Sequence, residues 1–513
     1  MPGTGRNVAY GGPMARLLRS RLLSTITVVA ALVPGSAGIA AANTGGTAPL
    51  ARFYEQSLDW SRCSAGQCAW LTVPRDYSDP DGPTLRLRVS RTPAGSPADR
   101  QGSLVTNPGG PGAEGVEFAS YLSGIVDPAI ARRYDIVGFD TRGAGESSPI
   151  VCMDGRQTTR WLRTDYTPDT PREITTLMRR ARALAQGCLD RSPQIARHVG
   201  SENTVRDMDI LRQALDEDQL DFLGFSYGTY LGTRYAEVFP DRVGRFVLDG
   251  AVDPSLDVMQ LSEGQSRGFQ LALSRFADDC ARRPGCPWRG DGTAVLVGID
   301  RLLSSLDARP LPAGPGPSLV QSEAITALLY AMYAPQLWPM LRSALREAAR
   351  GEGSGLSELA AYASDRTGPE RYGSNMASAF PAIACWDQPA APGAAGLAAA
   401  AQDWARGTAV PEIARTLSWG NAPCSVWFGH SAIAPKPART STTAPILIIG
   451  GLYDPATPYA WATALHRQLP TSALLTYAGD GHTAYGNGST CVDSTVRDFL
   501  LDGTLPASSR TCR

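Results

Sequence analysis

The chain has 513 residues, 43% of them hydrophobic and 19% charged, the composition of an ordinary globular protein. Its 48 basic residues against 49 acidic ones leave a formal charge of −1, and no long basic run offers a footprint for nucleic acid. The length exceeds what one hydrophobic core usually organises, so one large domain with an insertion, or two domains, is expected.

At the N-terminus, Arg16, Arg19 and Arg21 precede the apolar run 22–33, and Pro34-Gly35-Ser36 leads to Ala40-Ala41-Ala42. That order reads as a secretory signal peptide, 1–42, cleaved near Ala42 to release an extracellular protein. An apolar run of about 12 residues falls short of the ~20 that a spanning helix needs, so stable membrane insertion is not expected. The ten cysteines fit export. An even count favours disulfides, and although spacing alone does not select a pairing, neighbours in chain order are the expectation: Cys63 with Cys68, Cys152 with Cys188, Cys280 with Cys286, Cys385 with Cys424, and Cys491 with Cys512. With four histidines and no C-x-x-C, neither a metal nor another cofactor is expected.

Next in the chain, "CAWLTVPRDY" and "TLRLRVSRT" predict an antiparallel pair; in the second, Leu85, Leu87 and Val89 alternate with arginines. "GSLVTN", "YDIVGFD", "LDFLGF" and "RFVLDG" are short apolar runs separated by helix-length segments, the pattern of a mostly parallel sheet with crossover helices. The next such run, "APILIIGG", begins only near residue 444. In between, helical periodicity broken by Pro/Gly-rich loops predicts an inserted, mainly helical cap over 253–439. The sheet-bearing core is thereby divided into 43–252 and 440–513.

G-x-S-x-G occurs twice, at Gly224–Gly228 and at Gly264–Gly268. Only the first has the required context, because "LDFLGF" precedes Ser226 as a strand and a helical pattern starts at Tyr227. Ser266 sits in a helix-patterned stretch with no strand before it and reads as a helix-surface or loop serine. A nucleophilic serine needs a base and an acid that orients the base. His482, in the Gly-rich loop "YAGDGHTAYG" after the strand-like "ALLTY", can reach across the top of a sheet. His198, His430 and His466 lack that setting. Asp454 follows "PILIIGGLYD" at the predicted C-terminal end of a strand, and Pro455, Thr457 and Pro458 are expected to steady it. The chain order Ser226, Asp454, His482 is that of α/β-hydrolases.

The oxyanion of a tetrahedral intermediate needs N–H donors. The backbone N–H groups of Gly110, in "VTNPGGPGAEG", and of Tyr227 are the candidates. The same loop also spells the dinucleotide fingerprint G-x-G-x-x-G. Its prolines make it a poor phosphate cradle, and a nucleotide reading leaves Ser226, Asp454 and His482 unexplained.

Taken together, "GGPG", "FDTRGAGESSP", "GFSYGTYLG", "DPATP" and "GDGH", with "SLDWSRC" and "AIACWD", resemble the secreted tripeptidyl aminopeptidases of actinomycetes, relatives of proline iminopeptidase among the α/β-hydrolases. The resemblance runs from residue 50 to the end. It implies an α/β-hydrolase fold with a helical cap and a serine exopeptidase that releases short peptides, often tripeptides, from free N-termini; separately, a monomer is expected. Ser226, Asp454 and His482 match its triad and Gly110 its oxyanion glycine; Glu114 departs from the small residue expected there and reads as surface. Such an enzyme needs carboxylates for the substrate's ammonium, and the cap side offers Asp253, Asp257, Glu263, Glu323 and others without ranking them. An exported esterase or lipase would use the same triad, and a catalytically dead binding protein on the same scaffold is the reading from another class.

Overall fold

The parallel sheet foreseen above forms the centre of the molecule, in a computed structural model that describes residues 50–431, 433–506 and 510–513. The segment read as a signal peptide, with its cleavage site near Ala42, lies outside the described residues. The strands are β1 (Ser61–Cys63), β2 (Gly66–Pro74), β3 (Thr84–Thr92), β4 (Gly102–Asn107), β5 (Tyr134–Phe139), β6 (Leu220–Phe225), β7 (Val243–Asp249), β8 (Arg366–Gly368), β9 (Arg371–Tyr372), β10 (Ile446–Tyr453), β11 (Ser472–Asp480) and β12 (Arg510–Cys512). Ten of them form one sheet in the order β1-β2-β3-β5-β4-β6-β7-β10-β11-β12, while β8 and β9 pair separately. The pairings from β1 through β3 to β5 are antiparallel, and those from β5 on to β12 are parallel.

Burial explains the two kinds of strand. In β4 and β5 every residue is buried, because helices cover both faces. Alternate side chains serve opposite cores: Val105, Phe222 and Ile448 face one layer, Leu104, Leu223 and Leu447 the other. In β3, by contrast, Leu85, Leu87 and Val89 point inward, and Arg86 and Arg88 lay their guanidinium groups over Trp70 at 4.4 and 4.9 Å.

Between β7 and β10 the regular structure of the described residues is mainly helical, with β8, β9 and two isolated bridges besides helices such as Val258–Ala281, Gly292–Ala308, Gln321–Met332 and Met376–Asp387. This cap has an apolar core of its own, built around Phe276, Ile299, Leu328 and Leu341. The five disulfides join the neighbouring cysteines, as expected. Among the described residues, no helix is long and apolar enough to cross a membrane. Strands β1 and β12, three residues each, carry too little pattern to be read from sequence. Ser266 differs from expectation as well: it lies inside the helix Val258–Ala281 but is buried. Its flanking glycines serve packing, since a Cβ at Gly264 would meet the Trp461 ring at 2.7 Å and one at Gly268 the Pro455 carbonyl at 2.5 Å.

Candidate active site

The site lies along the C-terminal edge of the parallel strands, where open α/β sheets gather functional groups. Ser226 directly follows β6, Asp454 directly follows β10, and His482 is the second residue after β11. These strands lie side by side, with β7 between β6 and β10.

Ser226 has φ 55° and ψ −124°, a strained conformation for a residue with a side chain. The turn closes only because its flanks are glycines. A Cβ at Gly224 would sit 2.7 Å from the Gly228 carbonyl oxygen, and one at Gly228 would sit 2.7 Å from that of Asn107. The Ser226 N–H donates to the Asp249 carbonyl at 2.9 Å, and the Ser226 carbonyl accepts the Thr229 N–H at 2.8 Å, which starts the helix Tyr227–Val238. The Ser226 side chain is half-buried, and its hydroxyl has no hydrogen-bond partner among the described residues.

Asp454 is fixed from several directions. Its Oδ1 accepts the N–H groups of Ala456 (2.9 Å) and Thr457 (2.8 Å), and its Oδ2 accepts the Thr457 hydroxyl (3.0 Å) and the Thr483 N–H (3.0 Å). Nδ1 of His482 lies 2.8 and 2.9 Å from the two carboxylate oxygens. Because a carboxylate only accepts, Nδ1 carries the proton and Nε2 is left able to take one. From the cap, the Tyr333 carbonyl accepts the His482 N–H at 2.8 Å, and the Tyr333 ring meets the imidazole edge-on with 5.1 Å between centroids.

The loop after β4 runs against the elbow. Gly109 and Gly110 have φ 92° and 107°, and a Cβ at Gly109 would lie 2.5 Å from the Phe225 carbonyl oxygen and 2.9 Å from the Tyr227 nitrogen. The N–H groups of Gly110 and Tyr227 have no acceptor among the described residues. The cap helix Met376–Asp387 lies over this loop, for a Cβ at Gly110 would approach Met376 Cε to 3.1 Å and one at Gly112 would approach Ala379 Cβ to 2.8 Å. Glu114 is half-buried and precedes the helix Gly115–Leu122.

At the end of that cap helix, Asp387 accepts the Tyr227 hydroxyl and, at 2.7 Å, the Ser201 N–H. Burial, and after it the neighbouring Glu202 carboxylate, pushes Asp387 up to about 7. Glu202 Oε1 accepts the Trp386 indole N–H at 3.1 Å, while its Oε2 is buried with no hydrogen-bond partner. The carboxylates named from sequence are engaged elsewhere. Asp253 accepts from Ser255 and Gln468, Asp257 caps the helix Val258–Ala281, Glu263 pairs with Arg267, and Glu323 pairs with Arg163 and Arg366. Asp387 closes the motif "AIACWD", but its spacing does not rank it above the other acidic residues, and nothing local in sequence distinguishes Glu202.

The remaining histidines have other surroundings. His466 Nδ1 lies 2.9 Å from the Ser472 hydroxyl, His430 Nδ1 lies 3.0 Å from the Ser431 carbonyl, and burial lowers the His198 imidazole below its usual range. Within "FDTRGAGESSP", Arg142 is fully buried, forms a 2.6 Å ion pair with Asp207, and donates to the carbonyls of Pro74, Arg75 and His198. This loop is therefore a structural tie.

Comparison with known proteins agrees with this architecture. A family model described as "TAP-like protein" matches residues 410–512. The chain is 33% identical over 479 residues to a protein named serine protease Hip1 from Mycobacterium tuberculosis, covering 89% of this chain and 91% of that one. It is 35% identical over 529 residues to a protein named carboxylesterase B from the same species, covering 97% and 100%. With a tripeptidyl aminopeptidase of Streptomyces lividans it shares 31% identity over 487 residues, covering 91% and 89%. Similar over nearly its whole length to these hydrolases, the chain is a serine hydrolase and belongs to the tripeptidyl aminopeptidase-like family of the α/β-hydrolases.

Proposed function

We propose that the protein is a secreted serine exopeptidase that releases short peptides, tripeptides foremost, from free N-termini. The observation that carries the hydrolytic part is the Asp454–His482 pair at the strand ends beside the strained Ser226 turn. In this reading His482 Nε2 takes the proton of Ser226, whose oxygen attacks the scissile carbonyl, and Asp454 stabilises the imidazolium. The N–H groups of Gly110 and Tyr227 receive the oxyanion, the amine leaves with the proton from His482, and water, deprotonated by His482, then hydrolyses the Ser226 ester, which frees the N-terminal peptide as a carboxylic acid and returns the proton to Ser226.

The exopeptidase part rests on the cap. Asp387 and Glu202 gather two carboxyl groups one tyrosine side chain away from the residue that follows Ser226. A substrate ammonium beside them would draw Asp387 into the ionised form and fill the bonding capacity of Glu202 Oε2. Three extended residues span about 10 Å, so release of tripeptides calls for an ammonium anchor at about that distance from Ser226. Exposed Tyr333 and Phe380, both in the cap and close to His482 and Gly112 respectively, supply apolar surface for the intervening side chains. Secretion is supported by the five disulfides, which persist in oxidising surroundings.

The likeness to a protein named carboxylesterase B favours an esterase as the second reading. A side-by-side assay separates the two: free tripeptide anilides, the same anilides blocked at the amine, and short acyl esters. The exopeptidase reading predicts that blocking lowers kcat/KM at least tenfold. Indifference to blocking, or a strong preference for the esters, contradicts it.

A further inference from the structure

Asp249 ends β7, between the strands that lead to Ser226 and to Asp454. Its two polar groups serve different parts of the site. The main-chain carbonyl accepts the Ser226 N–H at 2.9 Å. The carboxylate is buried and accepts the N–H of Ala484, at 3.1 and 2.9 Å, and that of Tyr485 at 2.8 Å. Ala484 and Tyr485 are the second and third residues after His482.

The residue between them and the histidine shows why such a hold is needed. Thr483 is β-branched, yet has φ 64°, a conformation that persists only when its surroundings determine it. Its own N–H goes to Asp454 Oδ2, and the next two go to Asp249. Two carboxylates thus grip three successive amides of a strained turn. Gly250 completes the arrangement. Its φ is 68°, and a Cβ there would come within 3.0 Å of Thr457 Oγ1 and 3.3 Å of His482 Cε1. The backbone after Asp249 therefore passes beside the imidazole. A buried carboxylate in a sheet is costly, and burial with the nearby Asp454 charge raises the Asp249 carboxyl to about 6. An apolar residue would avoid that cost but would leave two buried N–H groups without acceptors.

We propose that Asp249 is a positioning residue that fixes the imidazole of His482 relative to Ser226, with its carbonyl on the serine turn and its carboxylate on the histidine turn. The inference rests on the reading of Ser226 as nucleophile and His482 as base. It predicts a specific kinetic pattern, because a displacement of about 1 Å at such a pair can lower the rate on the order of 100-fold without altering how substrate binds.

The test compares wild type with Asp249→Leu, which is close in shape but offers no side-chain acceptor to the N–H groups of Ala484 and Tyr485. Measured are kcat and KM on a free tripeptide anilide, the rate of labelling by a fluorophosphonate probe, and the far-ultraviolet circular dichroism spectrum. The expected result is a fall of at least tenfold in both kcat and labelling rate, with KM within twofold and the spectrum unchanged. Rates within twofold of wild type, or a change confined to KM, overturn the proposal. If the variant does not fold, hydrogen exchange of the wild-type enzyme decides. Amides of Ala484 and Tyr485 that exchange as slowly as those of β10 support the grip, and exchange at the rate of an open loop overturns it. A wild-type enzyme that does not label contradicts the underlying reading of Ser226 instead.

Discussion

The hydroxyl of Tyr227 donates to the carboxylate of Asp387, so the residue that follows Ser226 is tied to the end of a cap helix. If Asp387 also receives the substrate ammonium, its loss removes a charge-assisted interaction of about 1.5–3 kcal/mol. Asp387→Asn is then expected to lower kcat/KM for a free tripeptide anilide roughly 10- to 100-fold, and to change that for the N-blocked anilide less than about threefold. Steady-state kinetics on the two substrates check this. An equal fall on both would mean that Asp387 only supports the elbow.

The same substitution has a predictable effect on stability. The Asp387 carboxyl is raised to about 7, mainly by burial, whereas in the unfolded chain it titrates near ~3.9. Between these values the folded protein holds a proton that the unfolded chain has released, so this residue lowers stability as pH rises from about 4 to 7. Above pH 7 the full cost, on the order of a few kcal/mol, is present. Asp387→Asn removes it. Denaturant unfolding is expected to find the variant more stable relative to wild type at pH 8 than at pH 4.5.

Asp454→Asn should leave binding nearly intact and remove most of the rate. An amide in place of the carboxylate no longer enforces the tautomer with the proton on Nδ1, which both carboxylate oxygens accept. A fall in kcat on the order of 10⁴ is expected, with KM changed only a few-fold. Circular dichroism and KM together separate this outcome from a general loss of structure.

A different part of the molecule governs stability. Arg142 and Asp207 are both fully buried, and removing one partner leaves a charge with no counterpart. Asp207→Ala is expected to cost about 3–5 kcal/mol in denaturant unfolding. Doubly replaced variants such as Arg142→Met with Asp207→Leu should recover part of that loss, because the buried charges are then gone together.

Sequence pattern revealed the parallel strands, the serine turn and the pair of Asp454 with His482, for a physical reason. Strands such as "YDIVGF" are covered on both faces and therefore apolar throughout, and Gly224 and Gly228 leave a local trace because the turn cannot close around a side chain. The surroundings of Asp387, Glu202 and Asp249 are not legible in the sequence. Their significance arises from contacts between segments far apart in the chain, Tyr227 with Asp387 and Asp249 with Ala484, which no local spacing encodes. The burial of Ser266 was missed on the same ground, since its neighbour Gly268 meets a carbonyl nearly 200 residues later, that of Pro455.

Hydrolysis of a free tripeptide anilide by wild type and by Ser226→Ala, at matched protein concentration and with matching circular dichroism spectra, tests the central claim most directly. The account predicts rapid release of the anilide by wild type and a loss on the order of 10⁴-fold or more in the variant. A variant that keeps a tenth or more of the wild-type rate would contradict the assignment of Ser226 as the nucleophile.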